Sequence, residues 1–237
     1  MISAVAFCPQ PPLLVPQAAA GAAGELCDLR AACARALERV AATQGRLVLL
    51  GAADAPRSRT YSPSARGTLA GYGVPVEVRL GAPTGGGALD LPLSLTVGAW
   101  LVAEVLGPRT GAVGFSVAPD FAASPAALEL LALAESEQIA LLVMGDGSAR
   151  RTETAPGYLD PRAVPFDDAV IAAMRTGNAS ALASLDLALG AAVLAAGVAA
   201  WRAAGALLDG GQYTAELLYA DDPYGVGYFV AIWTARG

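Results

Sequence analysis

The sequence predicts an α/β fold, a three-layer α/β/α sandwich built on a mainly parallel central sheet. Two observations carry that prediction. Short, wholly apolar runs alternate along the chain with stretches of helical period. Runs apolar at every position suit strands covered on both faces, as in parallel sheets between helical layers.

The elements follow in order. Ile2–Cys8 reads as a buried strand that stops at "CPQPPLLVP". Leu26, Leu29, Cys33, Leu37 and Val40 share one helical face. Glu25 and Asp28 near its start and Arg35 and Arg39 near its end suit the helix dipole. A strand at Leu47–Leu50 leads into a long loop from Gly51 to Gly73, a strand at Val74–Leu80 and a Gly-rich turn at Gly85–Gly87. Ser94–Leu106 reads as a helix and Gly111–Val117 as a strand. Ser124 is placed as an N-cap, with Pro125 at the first position of a helix ending near Ser136. Ile139–Met144 is an apolar strand, followed by a second long loop, Gly145–Val164. Ala/Leu-rich helices fill Pro165–Leu208, with breaks expected at Gly177, Gly190 and Gly197. Tyr213–Tyr219 and Tyr228–Trp233 read as strands joined by "DDPYG"; paired as a hairpin, they make the sheet mixed. With no internal repeat and no linker-like shift in composition, residues 1–237 read as one domain.

Composition excludes much chemistry. The chain is 55% hydrophobic, 15% charged and carries a net charge of −6, with no long basic run, so neither nucleic acid nor an anionic membrane is expected as a partner. All 15 basic residues are arginine, with no lysine and no histidine. That rules out a lysine Schiff base, a P-loop lysine, a Ser-His or Cys-His pair, and an imidazole metal ligand. Carboxylates, tyrosines, cysteines and the termini remain, so catalysis near neutral pH would need a strongly shifted pKa. Cys8, Cys27 and Cys33 lack metal-site spacing and read as reduced core residues, which places the protein in the cytoplasm. The N-terminus lacks a basic n-region. The long apolar run Leu187–Trp201 is shorter than the roughly 20 residues that span a bilayer. Trp100, Trp201 and Trp233 are expected in the core.

Ligands of open α/β sheets sit beyond the carboxyl ends of the strands. Three segments leave those ends: "CPQPP", "GAADAPRSRTYSP" and "GDGSARRTETAPGYLDPR". The cleft candidates are Gln10, held between prolines; Asp54 with Arg57 and Arg59; Asp146, Ser148, Arg150 and Arg151 of "GDGSARR"; Tyr158; and Glu216 in the apolar strand near the C-terminus. The glycines around Asp146 and Ser148 could expose N–H groups to an anion, with an arginine as counter-charge. The plainer reading is a tight turn whose arginines pair with Asp160 or Asp167. Glu216 must pair with an arginine or face a cavity.

Four stretches carry a resemblance: "CPQPPLLVP" at Cys8–Pro16, "LPLSLTVGAWL" at Leu91–Leu101, "VMGDGSARRTETAPGYLDPRAVPFDDAV" at Val143–Val170 and "AELLYADDPYGVGYFVA" at Ala215–Ala231. Together they resemble the class III extradiol dioxygenase superfamily, and within it an actinobacterial, LigB-like branch. The resemblance implies ring cleavage of catechols by Fe(II) and O₂, with two histidines and a glutamate on the iron and another histidine in acid/base work. By the same resemblance, Gln10 stands at one iron histidine and Ala149 at the acid/base histidine. Asp54 lies near the second iron histidine, and Glu216 matches the glutamate loosely. An amide oxygen is a poor substitute for imidazole at iron. The expectation is a degenerate relative without iron or ring cleavage, holding no cofactor and keeping a cleft for a small anionic or aromatic ligand. The alternatives are a carboxylate- or metal-dependent enzyme of another reaction type, residual dioxygenase activity, and a non-catalytic interaction subunit. A homo-oligomer is left open.

Overall fold

A computed structural model describes residues 1–81 and 87–236. Its strands are β1 (Ile2–Cys8), β2 (Arg46–Ala52), β3 (Arg59–Tyr61), β4 (Arg66–Thr68), β5 (Glu77–Arg79), β6 (Ala112–Val117), β7 (Ile139–Met144), β8 (Tyr213–Asp221) and β9 (Tyr228–Ala235). Its helices are α1 (Pro16–Ala19), α2 (Cys27–Ala41), α3 (Leu93–Leu106), α4 (Pro125–Ser136), α5 (Ala163–Thr176), α6 (Ala179–Ala183), α7 (Leu187–Ala192) and α8 (Val198–Leu208), with short 3₁₀ turns between.

Seven strands form one sheet in the order β3-β6-β2-β7-β1-β9-β8. β6, β2, β7 and β1 run parallel, while β9 and β3 join antiparallel. β8 and β9 form the expected hairpin, so the sheet is mixed. Alternate side chains enter two cores. On one face Phe7, Val48, Leu141 and Trp233 pack beneath α4, α5, α6 and α8. On the other Ala6, Leu49, Leu142 and Ile232 pack beneath α2 and α3. Helices cover both faces, which explains why the strands read as unbroken apolar runs. Ser124 caps α4, its Oγ accepting the Ala127 N–H at 3.2 Å. Trp100, Trp201 and Trp233 are all buried.

Some expectations are corrected. The segment from Gly51 to Gly73 carries β3 and β4 rather than forming one loop. The strand expected at Val74–Leu80 shrinks to β5, which pairs with β4 in a separate two-stranded sheet. Pro75 has no N–H for a ladder and keeps the strand short at its start. Of the Gly85–Gly87 turn, Gly85 and Gly86 lie outside the described residues. Gly190 does not break a helix but lies inside α7, where a Cβ would come within 2.5 Å of Val198 Cγ2. The glycine lets α7 and α8 approach. Cys8 and Cys33 are buried, but Cys27 is exposed; all three are free thiols. The apolar run 187–201 is α7, a turn and the start of α8, and no helix among the described residues is long and apolar enough to cross a membrane.

Candidate functional site

The carboxyl ends of the parallel strands meet at one edge. Cys8 is in register with Met144, and Met144 with Gly51. The chain leaving β1 leads to α2 on one face, whereas the chain leaving β7 leads to α5 on the other. Adjacent strands whose connections diverge this way mark the usual ligand position in such sheets. Gln10 and Asp146 are the residues that stand there.

Gln10 is fixed by its neighbours. Pro11 restrains it to extended backbone, and the Pro11 carbonyl accepts the Leu14 N–H to start a 3₁₀ turn. The Gln10 N–H donates to Asp146 Oδ1 at 2.7 Å. Its side chain is only 6% exposed, and its carboxamide oxygen Oε1 is buried without a hydrogen-bond donor among the described residues. A buried acceptor left unpaired costs about 1–3 kcal/mol, so one in a fixed turn calls for an explanation.

Asp146 is clamped from both sides. The Gly145 N–H donates to the Cys8 carbonyl, and the Asp146 carbonyl accepts the Gly197 N–H, both at 2.9 Å. Gly145 is required here, because a Cβ would collide with the Gly197 backbone. The residue as a whole is half-buried, and its carboxyl is enclosed. Desolvation raises its pKa to about 7, against the opposing hydrogen bond from Gln10. Nearby, burial pushes the Cys33 thiol well up, helped by Cys8 and then Asp146. Burial, then the Asp146 charge, also raises the Tyr228 hydroxyl. Among the described residues the groups that act on Asp146 are neutral, and no cation offsets its desolvation. Tyr228 escapes sequence reading because it looks like an ordinary strand-opening aromatic.

The rest of "GDGSARR" is engaged within the protein. Ser148 is fully buried, its N–H and Oγ donating to Asp167 of α5 at 2.9 and 2.6 Å. Arg151 bridges Asp167 at 2.8 Å and Asp222 of the β8–β9 turn at 2.6 Å. Arg150 donates to the carbonyls of Gly157 and Ala192 and lies 4.0 Å from Asp160. The plainer sequence reading, in which these arginines pair with Asp167 and Asp160, is the one observed. Both are structural ties that fix the loop after β7 to α5, α7 and the hairpin.

The remaining candidates do not converge on Gln10 and Asp146. Asp54 is exposed and accepts the Leu93 N–H at the start of α3, at 3.1 Å. Glu216 is exposed on the edge strand β8 and pairs with Arg39 of α2. Tyr158 is 62% exposed and adopts a left-handed backbone, φ 59°. Arg57 and Arg59 are exposed on the loop leading into β3 and on β3 itself. The residues do not fit the Fe(II) that the resemblance implies. There is no histidine, Asp54 and Glu216 are committed elsewhere, and among the described residues no three His, Cys, Asp or Glu side chains group as metal donors.

No family model and no curated protein matches the chain. Among solved structures, the uncharacterized protein JW3007 from Escherichia coli K12 aligns over 98% of this chain and 100% of that one, at 13% identity and a TM-score of 0.47.

Proposed function

We propose that the protein is a degenerate relative of the class III extradiol dioxygenases that works without iron and binds a small hydroxylated aromatic ligand between β1 and β7. The observation that carries this reading is the buried, donorless Oε1 of Gln10 beside a carboxyl poised near neutral pH. Oε1 accepts one ligand O–H. Asp146 accepts a second when ionised and donates when protonated, so the pair suits a phenol or vicinal diol. An anionic ligand is the less favoured class, because Arg150 and Arg151 are already engaged by protein acceptors.

A second reading has its own support. A carboxyl with a pKa near 7 is suited to general acid–base work at neutral pH, so Asp146 is the residue to examine for catalysis of another reaction type. The three free cysteines fit a reducing cytoplasm. The test is calorimetric titration of the EDTA-treated protein with catechol. One site per chain is expected, weakened about tenfold by Gln10→Met, the scale of one buried hydrogen bond. Absence of catechol binding, or unchanged affinity in Gln10→Met, overturns the proposal. Ring-cleavage product from catechol after anaerobic Fe(II) loading would instead show that the iron chemistry survives.

A further inference from the structure

We propose that a second cavity, at the end of β6, binds a small carboxylate with an apolar body. It lies apart from Gln10 and Asp146 and does not rest on their assignment. The chain leaving β6 passes under α4 and against α8, leaving a cavity of about 330 Å³. Val117, Phe121, Leu131, Leu187, Ala203 and Leu207 supply apolar walls, and among the described residues Arg202 is the only charged one that lines it. The volume is at the small end of the range for small-molecule sites.

Arg202 decides the ligand class. It is half-buried on α8, and one Nη donates to the Leu185 carbonyl that ends the α6–α7 turn. A guanidinium carries five donors, and among the described residues this is the one protein acceptor it meets. Among the described residues it has no carboxylate partner. Asp186, next to Leu185, instead caps α7, its Oδ1 accepting the N–H groups of Ala188 and Leu189. A cation without a counter-charge at an apolar wall is complementary to a carboxylate, whose oxygens can take two guanidinium donors side by side. The apolar lining calls for a hydrocarbon or aryl body on that carboxylate. Leu131 and Leu187, 46% and 41% exposed at the rim, would be covered by the same body.

Octanoate and octanol are matched probes, since they share a chain and differ in charge. Calorimetric titration of the full chain should give one octanoate site, with octanol at least about tenfold weaker. Arg202→Gln keeps a donor for the Leu185 carbonyl but loses the charge, and should reduce octanoate to the octanol level. Ala206→Trp, at an exposed lining position, should block both probes. Gln10→Met should leave octanoate binding unchanged, so failure at one site is separable from failure at the other. The octanoate–octanol contrast in the unaltered chain tests the charge requirement even if Arg202→Gln does not fold. Equal affinity for the two probes, no octanoate binding at millimolar ligand, or undiminished binding in a folded Arg202→Gln overturns the proposal. So does a dimer, seen by sedimentation, that Leu131→Arg dissociates and octanoate does not affect, because the cavity would then be a contact between copies.

Discussion

Asp146→Asn isolates what the buried carboxyl does to the protein. The substitution preserves an oxygen acceptor for the Gln10 N–H and removes the titrating proton. In the unfolded chain the carboxyl titrates near its ordinary 3.8, and in the folded protein near 7. Below about pH 3 both states hold the proton, and the raised pKa carries no penalty. Between pH 4 and 7 the unfolded chain releases it first, so the folded state loses up to about 1.4 kcal/mol per pH unit. Above pH 7 the loss levels off at no more than about 4 kcal/mol, since Asp146 as a residue is only half-buried. Urea unfolding of both proteins at pH 5 and pH 8 is the assay. Asp146→Asn should gain on the wild type as pH rises, the gap widening by about 2 kcal/mol between those two values. A gap that is the same at both pH values, or a wild type that gains on the variant as pH rises, would show that burial does not raise the Asp146 pKa.

Two further outcomes separate buried ties from surface ones. Arg151→Ala should destabilise by about 3 kcal/mol in urea unfolding, because Asp167 is fully buried and loses a charged partner; Arg39→Ala, whose pair with Glu216 is about half exposed on both sides, should cost under about 1 kcal/mol. Native protein should titrate about one thiol per chain with a disulfide reagent, because Cys27 is exposed while Cys8 and Cys33 are buried, and three after unfolding; three fast thiols in the native state would contradict the packing of α2 on β1.

The parallel strands of the central sheet are legible because burial on both faces makes them apolar along nearly their whole length, as in Ile139–Met144. β3 and β4 are not, since three residues such as Arg66–Thr68 carry no period and are strands only because they pair, β3 with β6 and β4 with β5. Gly190 misleads for a related reason. Glycine signals a break in isolation, whereas here it answers the approach of Val198, a tertiary fact. At the site, Gln10 and Asp146 are visible as the residues that leave two apolar strands at rigid turns, but their contact depends on β1 and β7 being neighbours. The sequence allows pairing of Arg151 with Asp167 as one of two readings, and only the packing of α5 selects it; the bonds from Ser148 to Asp167 have no signal in the sequence. Arg202 gives no signal beyond ending an apolar run, because an alanine-lined cavity has no sequence signature.

If Gln10 and Asp146 form the proposed ligand site, the Asp146 carboxyl carbon reports on it directly. Carbon-13 NMR of aspartate-labelled protein, assigned with Asp146→Asn, should show this carboxyl titrating with a midpoint near pH 7. Saturating catechol should shift that midpoint, because a bound hydroxyl favours one protonation state over the other. A midpoint below pH 5, or one that catechol leaves unmoved, would mean that Gln10 and Asp146 do not form this site.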